Sequence, residues 1–186
     1  MSSIVLNHLA NIEKLSYLEL GINDNQNWKA IKSNHKFSVD VNGNAKFTGT
    51  TDEYFYQLAS HIKFDIIFID ANHDYEFVLR DFNNSVNHCN KWIAIHDMIP
   101  PDEYHCRSDF CSDSYKLLYF FIMETDFKVY PMNENFGLTL VKMPATQVHP
   151  QKIYQKVTYT EFMTFMSHQK TYSSEEIAQI LNQNVD

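Results

Sequence analysis

Two stretches of this sequence run from buried-looking apolar residues straight into ionisable ones. FDIIFIDANHD (64–74) passes from Ile66–Ile69 into Asp70, His73 and Asp74, and WIAIHDM (92–98) passes into His96 and Asp97. An imidazole titrates near neutral pH, so His96 is a candidate general base for drawing a proton from a hydroxyl. Carboxylates and an imidazole together can instead hold a divalent cation that acidifies a hydroxyl. Asp70, His96 and Asp97 are therefore candidate catalytic residues. As a set they are also candidate ligands for Mg²⁺ or Mn²⁺, and a mixed oxygen and nitrogen donor set also admits Zn²⁺. His73, on the loop after the first stretch, is a candidate substrate contact. Asp74 precedes a helical pattern and reads as a helix cap.

Other polar residues fall at similar places. Glu19 and Gly21 end the apolar run LSYLEL (15–20), and Asp40 ends KFSVDV (36–41). A carboxylate at the end of an apolar strand needs a partner, because burying it unpaired is costly. Four strands ending alike suggest that the partner is a ligand. In open α/β sheets ligands bind beyond the carboxyl ends of the strands, with an acid about 20 residues after the first turn to bond the ribose hydroxyls. Asp40 fits that place, and a carboxylate can accept both hydroxyl hydrogens. The plainer reading of Asp40 is a solvated acid. The turn itself, ELGINDN, has a single glycine, Gly21. Asn23 and Asn25 stand where an alternating turn would place further glycines, and Asn tolerates positive φ better than other side chains. Such a turn keeps its shape but loses close approach to a pyrophosphate. It disfavours NAD and suits an adenosine ligand without one.

Apolar runs alternating with helical patterns predict β/α units and a parallel sheet. The strands are 15–20, 36–41, 44–50, 64–70 and 91–97, followed by an antiparallel closing pair at 126–132 and 136–143. Thr50 and Glu53 form a capping-box pattern ahead of a helix over 53–62. Val78, Leu79, Phe82, Val86 and Cys89 recur at helical spacing over 75–89. Ser112 precedes a helix over 113–124. The aromatic and aliphatic stripe Tyr115, Leu118, Tyr119 and Ile122 reads as core. The irregular stretch 99–114 lies where a substrate lid would be, and Tyr104 and Arg107 within it are candidate substrate contacts. His105, Cys106 and Cys111 lack a fourth partner for zinc. A linker with two prolines, PATQVHPQ, leads to helices at 159–169 and 173–183, the second carrying a capping-box pair in Ser173 and Glu176. The expected division is a domain over 1–143 and a C-terminal helical extension over 144–186, which is a candidate to cover the cleft or to form a homodimer contact.

Composition narrows the function classes. The chain has 186 residues, a net charge of -8 and 3 cysteines. A phosphate backbone needs clustered positive charge, so nucleic acid is not an expected partner. No apolar stretch reaches the roughly 20 residues of a membrane span. The N-terminus lacks a basic start and a small-residue cleavage site, which together with sparse cysteine predicts a cytoplasmic protein.

The segments YLELGINDN, VDVN, FTGTTDEYF, FDIIFIDANHDYEFVLRDFNNSVNH and WIAIHDMIPP, continued by SDSYKLLYFF and FGLTLV, resemble a class I S-adenosylmethionine-dependent methyltransferase. The likeness is to the small branch with D-x-x-H after strand four and HD after strand five, over roughly residues 15–143. It implies a Rossmann-like, doubly wound seven-stranded sheet in the order 3-2-1-4-5-7-6 with strand seven antiparallel. It also implies S-adenosylmethionine as cofactor and a small-molecule acceptor methylated at a hydroxyl, such as a sugar, a glycan or another metabolite. By position, Glu19, Gly21 and Asn23 would line the amino-acid end of the cofactor, and Asp40 its ribose. Thr51 and Asp52 would lie near the adenine, and Asp70 would face the methionine moiety or a metal. The chain departs from the pattern in its first-turn glycines and its short first helix. The rival readings are a non-catalytic protein of the same fold and an NAD- or nucleotide-dependent enzyme.

Overall fold

A computed structural model describes residues 2–9, 12–58, 60–134, 136–143, 146, 148 and 156–183. The linker expected at 144–151 lies mostly outside them. Seven strands form one sheet: β1 (Ser16–Leu20), β2 (His35–Asp40), β3 (Phe47–Thr48), β4 (Phe64–Ile69), β5 (Cys89–Ile95), β6 (Val129–Pro131) and β7 (Thr139–Lys142). Their order is β3-β2-β1-β4-β5-β7-β6. The first five pair in parallel, while β7 runs antiparallel to both β5 and β6. The helices are α1 (Ser2–Leu6), α2 (Gln26–Ala30), α3 (Thr51–Gln57), α4 (Tyr75–Val86), α5 (Tyr115–Glu124), α6 (Tyr159–Met166) and α7 (Ser174–Gln183). None is long and apolar enough to cross a membrane.

The two-residue period of a strand sends alternate side chains to opposite faces, and this divides the core in two. Leu18, Leu20, Ile67, Ile69, Ile93 and Ile95 face one way and pack under α3, α4, α5 and α6. Tyr17, Ile66, Phe68, Trp92 and Ala94 face the other way, against Val5 and Leu6 of α1 and Ile177 and Leu181 of α7. Each apolar run in the middle of the sheet is apolar throughout because both faces are covered. The two C-terminal helices thus pack on opposite faces of the sheet.

Several boundaries differ from expectation. α4 stops at Val86, and Cys89 opens β5 rather than ending the helix. Asn87 and His88 turn the chain there, with the His88 N–H bonded to Ser85 O and the His88 carbonyl accepting from Phe64 N–H. α3 ends at Gln57 because Leu58 is already extended. The Thr50–Glu53 capping box is formed in both directions. The Ser173–Glu176 pair is formed too, and Thr158–Glu161 makes a further box that sequence reading passed over. Asp74 occupies the N-cap position of α4 without capping it. Its carboxylate accepts from Ser112 Oγ, and the Tyr75 N–H goes instead to Asp113 Oδ1 at 2.7 Å. Ser112 is thereby spent on Asp74 and does not start α5.

Candidate active site

The first turn is shaped by positive backbone angles. Gly21 has φ 83°, Asn23 39° and Asn25 67°, so the two asparagines hold the left-handed conformations expected of glycines. Gly21 is required on a second ground: a Cβ there would lie 2.2 Å from the Asp70 carbonyl oxygen at the tip of β4. The turn is clamped from β2. Asp40 Oδ2 accepts from the N–H groups of Ile22 (2.7 Å) and Asn23 (3.1 Å), and its Oδ1 accepts from Asn42 N–H (2.8 Å). A carboxylate offers about four acceptor positions, so this arrangement leaves room for one ribose hydroxyl rather than two.

Glu19 does not reach the cleft. It shares a face with Tyr17, whose hydroxyl donates to it at 2.8 Å, and Asn27 Nδ2 donates from α2 at 3.2 Å. Burial pushes its carboxyl up to about 7 against these hydrogen bonds. It lies beneath the turn as a support.

The tips of β4 and β5 bring together the four groups flagged in the sequence. His73 Nε2 lies 3.3 Å from Asp70 Oδ1, and its Nδ1 lies 3.2 Å from Asp97 Oδ2. The same Nδ1 bonds to the Phe110 carbonyl, which accepts only if Nδ1 carries a proton. His96 Nδ1 lies 3.3 Å from Asp70 Oδ1 and 3.0 Å from Asp97 Oδ1. Those approaches are near enough for Coulomb attraction, yet no hydrogen bond of good geometry forms at this buried nitrogen. Burial alone would lower the His96 pKa, but the two carboxylates outweigh it and raise the ring to about 10. His73 is raised from 6.5, with burial again opposing and Asp70 and Asp97 prevailing. Asp70 is lowered below 3.8, since His73 and His96 overcome the effect of burial. Asp97 adopts the left-handed conformation, with φ 60°. Its carbonyl accepts from Ser114 Oγ.

Asp70, His96 and Asp97 each offer a donor atom within 4.8 Å of the other two. An imidazole nitrogen without a good hydrogen bond, aimed between two carboxylates, is what a cation would satisfy. The residues fit a divalent ion, with His favouring Mn²⁺ or Zn²⁺ over the all-oxygen shell that Mg²⁺ prefers.

Beside the cluster opens a cleft of about 650 Å³, lined by Gly21, Asn23, Asp40, Thr51, Asp52, Asp70 and His73 from the expected set. His96, Asp97, Tyr104 and Arg107 lie outside this lining, and Arg107 pairs with Asp109 at 3.1 Å. Neither α6 nor α7 contributes to it. Phe77, Arg80 and Asp81 of α4 line the cleft but were not anticipated. The available signal was an acid, Asp81, inside the buried stripe of Val78, Phe82 and Ser85. Phe136 was missed as well. Its ring stands 6.5 Å from that of His96 and begins a chain of aromatic contacts through His105 and Phe110 to Tyr104. Gly137 sets this up with φ 82°, since a Cβ there would meet Ile99 N at 2.2 Å.

No protein-family model matches the chain, and neither does any curated protein. Solved structures do match. A Klebsiella pneumoniae chain assigned as an O-methyltransferase aligns at TM-score 0.56 and 12% identity, covering 77% of this chain and 79% of that one. An O-methyltransferase from Bacillus cereus in complex with SAH aligns at 0.51 and 12%, covering 75% and 77%. The spermidine synthase of Thermotoga maritima aligns at 0.52 and 13%, covering 95% and 66%. Architecture of this kind hosts more than one group transfer. The strand order, the antiparallel seventh strand and these alignments give the chain the fold of class I S-adenosylmethionine-dependent methyltransferases.

Proposed function

We propose that this chain is an S-adenosylmethionine-dependent methyltransferase that methylates a hydroxyl of a small molecule. The observation that carries the reading is the cluster of Asp70, His73, His96 and Asp97, two of which, Asp70 and His73, also line the cleft that the Gly21 turn and Asp40 border. In the reaction the methyl C–S bond breaks as a C–O bond forms, the sulfonium becomes a neutral thioether, and the hydroxyl proton passes to water. Holding donor and acceptor in line can supply about 7–11 kcal/mol. Gly21 and Asn23 border the amino-acid end, Asp40 accepts a ribose hydroxyl, and Thr51 and Asp52 flank the base. Asp70, His96 and Asp97 would hold a divalent cation, which acidifies the acceptor hydroxyl when bound. Without one, His96 is held protonated by both carboxylates and is poorly suited to act as a base. A cation bound there would have to displace that proton, because a metal-ligating imidazole is neutral.

The acceptor side is bordered by exposed rings. Tyr104, Phe110 and Phe136 are exposed, and their rings, with that of His105, connect to His96. Aromatic walls suit a ring-bearing acceptor, either a sugar or an aromatic alcohol.

Asp40 favours a second reading. Its acceptor positions are largely filled by its own turn, as in a protein that holds the nucleoside weakly and transfers nothing. Calorimetry with S-adenosylmethionine, S-adenosylhomocysteine and NAD distinguishes the readings. Binding of both sulfur nucleosides but not NAD is expected, with a stabilisation of about 2.7 kcal/mol at 100 times the dissociation constant. No binding of either sulfur nucleoside overturns the proposal. Binding without label transfer to any hydroxyl acceptor favours the second reading.

A further inference from the structure

Asp81 is a buried carboxylic acid in the wall of the cleft that the mechanism above does not use. It sits on α4, is 2% exposed, and lines the cleft beside Thr51 and Asp52. Its Oδ1 accepts from Thr51 Oγ1 at 2.6 Å. At the mouth, Arg80 pairs with Asp52 at 2.7 Å and lies over the Phe77 ring at 4.7 Å. The order of groups along the cleft fixes what this end would hold. The tip of β4 and the Gly21 turn take the sulfur and amino-acid end, and Asp40 takes the ribose. The base is left for the pocket between α3 and α4.

We infer that Asp81 reads the adenine base as a neutral carboxylic acid. This deepens the methyltransferase reading and rests on it. The Watson–Crick edge of adenine offers an amine donor beside a ring-nitrogen acceptor. An undissociated carboxyl, with its carbonyl oxygen held by Thr51 and its other oxygen carrying a proton, matches that edge in both senses. A carboxylate offers no donor to the ring nitrogen. Burial pushes Asp81 up to about 7, Asp52 of α3 adds to the rise, and the Thr51 hydrogen bond and Arg80 of its own helix oppose it. Asp52 and Arg80 are the charged groups that act on it most.

The test is the pH profile of S-adenosylhomocysteine binding, measured by calorimetry between pH 5.5 and 8.5. Wild-type affinity should be constant at low pH and fall above about pH 7, approaching tenfold per unit. The Asp81→Asn protein presents an amide that donates and accepts without titrating, so it should bind at the wild-type low-pH affinity across the range. Thr51→Val removes a donor that favours the ionised form, so its break should move to higher pH. His73 and the other titrating groups of the cleft are common to all three proteins, so the difference between profiles belongs to Asp81. Parallel profiles in wild type and Asp81→Asn overturn the inference and leave the methyltransferase reading intact. No binding to the wild type at any pH removes both.

Discussion

Asp70 and His96 meet across the tips of β4 and β5, with Asp70 Oδ1 at 3.3 Å from His96 Nδ1. The same oxygen stands 3.3 Å from His73 Nε2, so one carboxylate oxygen serves two imidazoles. The charge that the sequence places at two strand ends is thereby gathered into one network at the carboxyl rim of the sheet.

The network has a signed effect on stability. His96 is raised from 6.5 to about 10, so its contribution is complete below pH 6.5 and is lost as the pH rises through about 10. Asp70 is depressed below 3.8, so its contribution is present above that value and is lost on further acidification. In EDTA, the melting temperatures of wild type and His96→Asn should converge as the pH climbs from 6.5 toward 10. A gap that stays constant across that window contradicts the network. Asp70→Asn should also shift the His96 titration downward, followed by NMR of the ring protons.

A cation role makes a separate prediction. If Asp70, His96 and Asp97 hold a divalent ion, EDTA should abolish methyl transfer and added Mn²⁺ should restore it. Asp97→Asn should lower the rate by about 10–100-fold or more at limiting metal, as loss of ligand charge weakens the site. Full activity of both the chelated enzyme and the Asn variant would remove the metal.

Gly21→Ala should damage the turn and the cleft together. The residue has φ 83°, and an added Cβ would press on Asp70 O and on Ala71 Cα at 2.6 Å. A loss of about 2 kcal/mol or more is expected in urea denaturation, since conformational strain and a steric clash act together. Gly43→Ala is the control, because its added Cβ meets nothing within 4 Å.

Phe162 tests how firmly α6 belongs to the fold. Its ring is fully buried in the core against α5 and packs at a tilt on Tyr115, with the centroids 5.0 Å apart. Phe162→Ala should cost about 3–5 kcal/mol in equilibrium unfolding. A change near zero would mean that α6 only lies on the surface.

The strands were legible because both faces of the central ones are buried, which makes their apolar runs continuous. Asn23 and Asn25 were legible as turn residues because few other side chains accept positive φ. What stayed hidden depended on partners distant in sequence. Asp74 looked like a cap, but Ser112 and Asp113 come from 38 residues away to take its hydrogen bond and its helix end. Glu19 shared the strand-end pattern of Asp40, but its place in the pleat turns it toward Tyr17. Asp81 was a polar residue in an apolar stripe, and its meaning depended on the cleft lying beside that face.

The borders of the sheet carry a last consequence. One outer strand, β3, is only two residues long, and the other, β6, ends in Pro131. Beyond it, Tyr172 donates its N–H to the Pro131 carbonyl and pairs in parallel with Met132. Short, proline-bearing and covered margins give a foreign strand little to hydrogen-bond to. The segment around Tyr172 is then a selvage over that margin, and cutting it away should bare the Pro131 and Met132 backbone to an added strand.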